Sequence, residues 1–410
     1  MLRFALALCW CVPAAAQEVS AIDRVWAGHP VDFALVVTEE RIFVGYYDAA
    51  RQLSVASRSR KSAWWTYTRL PSWTGWDSHN AIAMAVDAAG QLHVAANMHN
   101  DPLVYFRTRT AGDVRTLEPA PMTGVRERSV TYPVFLKDAG GRLIFKYRDG
   151  GSGRGAELYN VLEGGKWRRL LDTPLADGEG KRSAYFVGPT LGPDGYFHLA
   201  WMWRDTPDAT TNHDLSYARS RDLVRWERSD GTPLALPIRL GDAEVVDPVP
   251  VRSGMINNNS VVGFDGAGRT TISFHKYDSA GNTQVYLARR EDRGWCVVQA
   301  SDWTGFRWEF GGNGSLDFRL HVGGAVAEGK LLRVPVVRDG EASDLLLDGV
   351  TLARLGERAV ASEAAPAGMQ LNRVNDPSGI ALTWLTLPPN RDLPRENVPE
   401  SSVLRLTIPN

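Results

Sequence analysis

Two histidines carry the first chemical signal in this chain. His79 lies in Trp76-Asp77-Ser78-His79-Asn80, and His99 lies in Asn97-Met98-His99-Asn100-Asp101-Pro102. An imidazole titrates near neutrality, so it can take or give a proton at physiological pH. A lone histidine at a strand end is ordinarily a surface or hydrogen-bonded residue. Two of them, each beside Asn and on either side of one strand-like segment, are candidates for paired acid–base work. The chain then repeats the arrangement with other side chains. Tyr132 in Ser129-Val130-Thr131-Tyr132-Pro133 enters the next strand, and Arg148 in Phe145-Lys146-Tyr147-Arg148-Asp149-Gly150 leaves it. Tyr185 in Ala184-Tyr185-Phe186 and Arg204 in Trp201-Met202-Trp203-Arg204-Asp205 do the same once more.

Imidazoles and phenols move protons, and a guanidinium fork binds both oxygens of a carboxylate. Together they suit removal of a weakly acidic proton next to a carboxylate. A clamped carboxylate stabilises the enolate-like transition state, and a second acid protonates the departing group. The order of base and acid among His79, His99 and Tyr132 stays open at this level. The plainer reading is that each Tyr packs between sheets and each Arg pairs with Asp149 or Asp205. Three segments in one register favour a shared site.

His213 in Asn212-His213-Asp214 is either a supporting residue or a turn residue. His93 and His198 sit among apolar strand neighbours and read as core. His275 points either way, and His29 and His321 have no constellation around them. Of the 14 Trp, Trp73, Trp76, Trp201, Trp203, Trp303 and Trp308 fall in turns or at strand ends, where an indole can stack on a sugar ring. Most Trp in a sheet-rich fold pack inside it, so one or two are expected to touch substrate, with Trp76 beside His79 among the candidates.

The elements that position these residues are a repeat. Seven segments place a turn rich in Asp and Gly before a strand rich in Val, Ile, Leu and aromatics. The clearest are Asp87–Val94, Asp138–Phe145 and Pro193–Ala200; weaker copies are Glu39–Tyr47, Asp265–Phe274, Glu328–Val336 and Asp376–Leu385. A period of roughly fifty residues is too long for a helical solenoid and suits a four-stranded propeller blade. Helix periodicity is sparse, while 39 Gly and 23 Pro punctuate the chain. The expected fold is all-β, a seven-bladed β-propeller. Ser220-Arg221-Asp222-Leu223-Val224-Arg225-Trp226 is similar to a degenerate Asp-box, a blade turn without catalytic meaning. Val403–Ile408 alternates cleanly and reads as a strand that closes the ring or as a last edge.

Residues 1–16 read as a secretory signal peptide: Arg3, an apolar run from Phe4 to Val12, and Ala14-Ala15-Ala16 before Gln17. Residues 17–410 then form one catalytic domain, secreted or periplasmic. Cleavage removes Cys9 and Cys11 and leaves Cys296, so no intramolecular disulfide is expected. The formal net charge of −1, with signs mixed throughout, points away from nucleic acid and from a polybasic membrane binder. A monomer that meets a polysaccharide is expected.

From Trp76 to Trp226 the chain resembles the BNR-repeat polysaccharide lyases, seven-bladed propellers that include ulvan lyases. The resemblance rests on His79-Asn80, Asn97-Met98-His99-Asn100, Thr131-Tyr132-Pro133, Tyr147-Arg148-Asp149-Gly150, Trp203-Arg204-Asp205-Thr206-Pro207-Asp208 and Asn212-His213-Asp214-Leu215-Ser216-Tyr217-Ala218-Arg219-Ser220. It implies a secreted lyase that cleaves a uronic-acid-containing, ulvan-like polysaccharide by β-elimination, taking the proton from carbon 5 and protonating the glycosidic oxygen. It implies that His79, His99, Tyr132 and Arg148 are catalytic, and that Tyr185 and Arg204 line the cleft. It implies no cofactor. Some relatives carry a structural zinc on His and Cys, a ligand set that a single remaining Cys does not match. The same propeller supports hydrolases releasing terminal rhamnose, so a rhamnosidase-like enzyme and a non-catalytic glycan-binding propeller stand as alternatives. A sialidase would require intact Asp-boxes.

Overall fold

The computed structural model describes residues 18–361, 363 and 365–409. The expected signal peptide, with Cys9 and Cys11, lies outside the described residues. The fold is all-β. Among the described residues the only helical segments are the single turns Val114–Thr116 and Ala209–Thr211.

The strands form six hydrogen-bonded sheets, each built mainly from consecutive antiparallel strands. The first contains Ala34–Val37, Arg41–Tyr47, Gln52–Ser59 and Thr66–Trp73. The second contains Ile82–Val86, Leu92–Ala96, Tyr105–Thr108 and Leu117–Pro119. The third runs from Val130–Lys137 through Leu143–Asp149 and Ala156–Glu163 to Lys166–Arg169, and the fourth begins with Ser183–Leu191, Phe197–Arg204 and Asn212–Ser220. A nine-stranded sheet is two antiparallel runs joined where Phe264 pairs in parallel with Val326. The last sheet contains Gln370–Asn375, Ala381–Thr386 and Ser402–Ile408, and takes Glu18–Val25 from the other end of the chain. The alternating C-terminal segment is therefore an interior strand with partners on both sides.

All seven repeat segments fall on second strands: Arg41–Tyr47, Leu92–Ala96, Leu143–Asp149, Phe197–Arg204, Thr270–Tyr277, Leu331–Arg338 and Ala381–Thr386. The unit thus begins one strand earlier than the sequence pattern suggests. Leu92–Ala96 and Phe197–Arg204 are buried throughout and read as continuous apolar runs. The preceding strands, such as Ile82–Val86 and Val261–Phe264, are short and half-buried, so they give little signal.

The turn between them has a simple cause. Asp87 Oδ1 accepts from the backbone N–H groups of Ala89 and Gln91, both at 2.9 Å. Asp138 does the same for Gly140 at 3.0 Å and Arg142 at 2.9 Å, and Asp265 for Ala267 at 3.0 Å and Arg269 at 2.9 Å. Gly90, Gly141 and Gly268, each three residues after its Asp, have φ of 77°, 79° and 77°, the left-handed region that glycine enters without a Cβ clash. In the Asp-box-like turn Asp222 Oδ1 accepts from Val224 and Arg225, and Leu223, at φ 62°, stands in the left-handed position.

His93 and His198 are buried between strands, each wedged between a turn carboxylate and a phenol. His93 bonds Asp87 at 3.1 Å and Tyr105 at 2.6 Å; His198 bonds Asp194 at 2.9 Å and Tyr217 at 2.6 Å. Trp201, Trp203, Trp303 and Trp308 are core residues and cannot stack on a sugar. Phe33 stacks on Trp384 at 4.3 Å, tying the first sheet to the last.

His275 is wholly buried against Trp308, and neither ring nitrogen meets a hydrogen-bond partner. Burial penalises the imidazolium and pulls its pKa down to about 3. The unfolded chain takes up this proton near pH 6.5, so the stability contributed by neutral His275 is present above that pH and is lost as pH falls toward 3. His275→Gln is expected to flatten the acid limb of the urea midpoint between these values, by up to about 1.4 kcal/mol per pH unit. An unaltered limb would show that other groups govern acid unfolding.

Candidate active site

The connection after Thr66–Trp73 carries Asp77, Ser78 and His79 to the rim of the second sheet. His99 follows Leu92–Ala96 of that sheet and opens the short strand His99–Asp101, which pairs with Val130–Lys137 of the third sheet. Asn97 and Asn100 have φ of 62° and 64°, and Asn tolerates this region better than other residues with a Cβ. These two Asn tighten the turn and fold His99 back over Asp77. His79 and His99 then stack with ring centroids 4.0 Å apart.

Asp77 joins the two rings. One carboxylate oxygen bonds His79 Nδ1 at 2.7 Å, the other bonds His99 Nδ1 at 2.5 Å, and the His79 backbone N–H adds a third bond at 2.9 Å. Burial opposes the Asp77 charge, but the hydrogen bonds from both histidines outweigh it and hold the carboxyl well below the usual range. Each Nδ1 therefore donates to Asp77, and each Nε2 keeps a lone pair. A second carboxylate, Asp392, approaches from the last sheet's long connection. It bonds His29 Nε2 at 3.2 Å and the backbone N–H groups of Ser78 at 3.0 Å and Ser315 at 2.8 Å.

Tyr132 faces His79 across 5.8 Å between ring centroids. Its strand slips register between Thr131 and Val134, and Tyr132 has φ 55°. The bulge and the left-handed backbone turn a side chain that a regular strand would aim elsewhere. A tyrosine held there costs on the order of 1–3 kcal/mol, a strain typical of functional positions. Burial pushes the phenol pKa up, with Arg148 pulling the other way, so Tyr132 is protonated at neutral pH.

Thr131 ties the neighbouring elements together. It stands opposite His99 on one side and Arg148 on the other, and its hydroxyl bonds the Asn100 N–H at 2.7 Å and Arg148 Nη2 at 3.2 Å. Arg148 lies 4.9 Å from the Tyr132 ring. Tyr185 is sandwiched between two guanidinium groups, Arg148 at 5.7 Å and Arg204 at 5.4 Å, and its hydroxyl bonds Ser152 at 2.5 Å. Both arginines are buried. Arg148 bonds only Gly150 O, Thr131 and Tyr185; Arg204 bonds only Thr206 O, Pro207 O and Asn257. Neither has a carboxylate partner among the described residues. A buried cation bonded only to neutral groups is a strong site for an anion.

His79, Tyr132 and Arg204 line a cleft of about 430 Å³, with Asp32, Ser78, Asn257 and Asn258 among its walls. A larger hollow of about 980 Å³ among Thr38, Arg41, Asp87 and Asp113 contains none of these groups. His213 stands outside the cleft. It is buried between Asp214 at 2.9 Å and Asp205 at 3.1 Å, and their hydrogen bonds overcome burial and raise its pKa. Trp76 is also turned away, edge-on to Trp26 at 5.2 Å and under Arg51 at 5.2 Å. Trp73, 55% exposed, is the one indole of the six that presents a free face. Cys296 is exposed on an edge strand and joins no group of His, Asp or Glu among the described residues, so a His–Cys zinc set is not assembled there.

Asp77, Asn257, Asn258, His29 and Asp392 escaped the sequence reading. The run Asn257-Asn258-Asn259, entering a short strand much as Tyr132 enters its own, was the available clue. Asp392 sits in a connection with no pattern at all.

A model of the BNR repeat-containing family matches residues 41–303. No curated protein matches the chain by sequence. Among solved structures, the polysaccharide lyase Uly1 is similar with a TM-score of 0.66 at 16% identity, over 93% of this chain and 90% of that one. A PL25 ulvan lyase is similar with a TM-score of 0.66 at 13% identity, over 95% of each chain. Another ulvan lyase structure, bound to -[GlcA(1-4)Rha3S]-, gives 0.64 at 13% identity. At these identities the likeness is one of fold.

The hydrogen bonding fixes one tautomer. Nitrogen-15 NMR of the imidazoles is expected to show protonated Nδ1 and bare Nε2 on both His79 and His99 in the neutral rings. Asp77→Ala should release both into tautomer mixtures. Bare Nδ1 in the unsubstituted protein would contradict the assignment.

Proposed function

This chain belongs to the BNR repeat-containing family, and on that premise we propose that it is a polysaccharide lyase that cleaves a uronic-acid-containing, ulvan-like polymer by β-elimination. The observation that carries the reading is the pair of buried guanidinium groups with neutral partners only, set opposite two carboxylate-anchored imidazoles and a protonated phenol. We assign the fold as a seven-bladed β-propeller, residues 17–410, its blades being the seven antiparallel runs. Support comes from the first strands, which abut in chain order from 370–375 to 34–37, 82–86 and 130–137, and from the N-terminal strand completing the last sheet.

In the proposed reaction Arg148, with Arg204 beyond Tyr185, holds the uronate carboxylate and drains charge from carbon 5 as its proton leaves. A bare Nε2, on His79 or His99, is the base, and Asp77 steadies the imidazolium that forms. Tyr132 is the acid: its raised pKa keeps the proton available for the glycosidic oxygen. The carbon–oxygen bond breaks, a carbon–carbon double bond forms, and no water is consumed. A hydrolase would need two carboxyl groups free to flank the scissile bond. Asp77 spends both oxygens on histidines, Asp392 spends its own on His29, Ser78 and Ser315, and Asp32 is then the one carboxyl left among the cleft walls named above. With residues 1–16 read as a leader peptide, the proposed enzyme acts outside the cytoplasm, where a polymeric substrate is met, as a monomer.

The test is ultraviolet absorbance from unsaturated ends in a panel of uronate polysaccharides. His79→Ala and His99→Ala are expected to lower the rate by about 10²–10⁴-fold with the fold retained; near-normal rates in both would move the active site elsewhere. Arg148→Lys should lose rate on the native polymer, and methyl esterification of the uronate, which removes the charge the clamp meets but keeps carbon 5 acidic, should narrow the gap between Arg148→Lys and the unsubstituted enzyme. Tyr132→Phe should remove an alkaline limb: the rate of the unsubstituted enzyme falls as pH rises through the phenol's pKa, which lies above its ordinary value of about 10. Turnover of the polymer without any unsaturated product would replace elimination by hydrolysis.

A further inference from the structure

The same donor atoms that hold the imidazoles in place are arranged as metal ligands. One ring nitrogen of His79, one of His99 and a carboxylate oxygen of Asp77 all lie within 4.8 Å of one another, and Nδ1 of each ring already rests on Asp77. Asp392 adds an oxygen 3.9 Å from His79 Nδ1, and His29 anchors Asp392 from behind. We propose that Asp77, His79 and His99, with Asp392 beside them, form an inhibitory site for a divalent transition-metal ion of the zinc type. Its effect on turnover rests on the elimination reading above; the site itself rests on the donor geometry alone.

Zinc takes imidazole nitrogen at about 2.0–2.1 Å and carboxylate oxygen at about 2.0–2.2 Å in a tetrahedron, which sets ligand atoms roughly 3.3 Å apart. The present separations bracket that spacing: 2.5 and 2.7 Å across the Asp77 hydrogen bonds, and 3.9 Å to Asp392. Opening the first two by less than about 1 Å and closing the third yields two nitrogens and two oxygens around one centre. Asp77, His79 and His99 are half-buried, so an ion can reach them from solvent. Asp77 and Asp392 repel one another in the apo arrangement, and a dication between them relieves that repulsion. Imidazole paired with carboxylate favours zinc, cobalt or nickel over the oxygen-seeking magnesium and calcium. Outer contacts of the His29–Asp392 kind orient ligands in metal sites.

The consequence for chemistry follows from the tautomer. In the apo arrangement each Nδ1 carries the proton and each Nε2 has a free lone pair. An ion on Nδ1 takes that lone pair position, and the proton relocates to Nε2. No electron moves and a neutral ring neither gains nor loses a proton. Nε2 is then a donor and cannot accept the carbon-bound proton. The ion is an inhibitor that a chelator removes.

The experiment titrates the full secreted chain carrying Cys296→Ser, which removes the exposed thiol, with Co²⁺ and with Zn²⁺. Visible d–d absorption and calorimetry are expected to show one ion per chain, unaffected by Mg²⁺ or Ca²⁺. Asp77→Asn and His99→Gln, checked for folding by circular dichroism, should each weaken binding roughly tenfold or more. Absence of a one-to-one complex, or undiminished binding in either folded variant, overturns the proposal. A chain that binds the ion yet acts on no uronate polymer would sink the lyase reading and leave the site standing. One that turns over the polymer, binds no ion and ignores Zn²⁺ would do the reverse.

Discussion

One carboxylate organises the cleft. Asp77 gives an oxygen to each of two stacked imidazoles, one from the connection into the second sheet and one from the edge strand of the third. Two basic rings stacked at this distance repel as soon as both carry charge. The anion between them offsets that repulsion, fixes which nitrogen bears the proton, and turns the free nitrogens the same way. Every other feature of the cleft is placed relative to this pair: the phenol across from His79, the arginines beyond it, and the Asp392–His29 couple behind.

The arginines follow a different rule. Arg148 and Arg204 are separated by the flat ring of Tyr185, which attracts both cations by its face and keeps them from meeting. Their hydrogen bonds go to carbonyls, hydroxyls and an amide. Desolvating two guanidinium groups without an internal anion works against stability. The fold tolerates it through aromatic faces and neutral acceptors, and the net result is a positively charged wall that a polyanion can complete. The strain at Tyr132 belongs to the same economy of function over stability, since a regular strand without the bulge would bury or expose the phenol on the wrong side.

Much of this was legible in the chain. The Asp-Gly turns announced themselves because a short carboxylate and a residue free to adopt positive φ are chemically required there, and all seven marked a real strand. His79, His99, Tyr132, Arg148, Tyr185 and Arg204 share an offset that the sheet register then brings together. What stayed hidden depends on long-range or backbone detail. The first strand of each unit is short and half-buried, so it lacks a run of apolar residues. The direction of Tyr132 depends on a bulge, which a linear pattern does not reveal. Trp76 and Trp201 look alike as exposed sugar platforms in sequence, because an indole in a turn and an indole in a core are the same letter. Asp77 was overlooked as an ordinary acidic neighbour, and Asp392 reaches the site from more than 300 residues away.

The pairing of Glu18–Val25 with Ser402–Ile408 has a temporal side. Glu18–Val25, synthesised earlier, must stay without its neighbour until Ser402–Ile408 has emerged. Five sheets can form on the way, but the seam joins only when Ser402–Ile408 has emerged. Until then Glu18–Val25 shows a bare hydrogen-bonding edge, and a product terminated before Ser402 keeps that edge open to other chains.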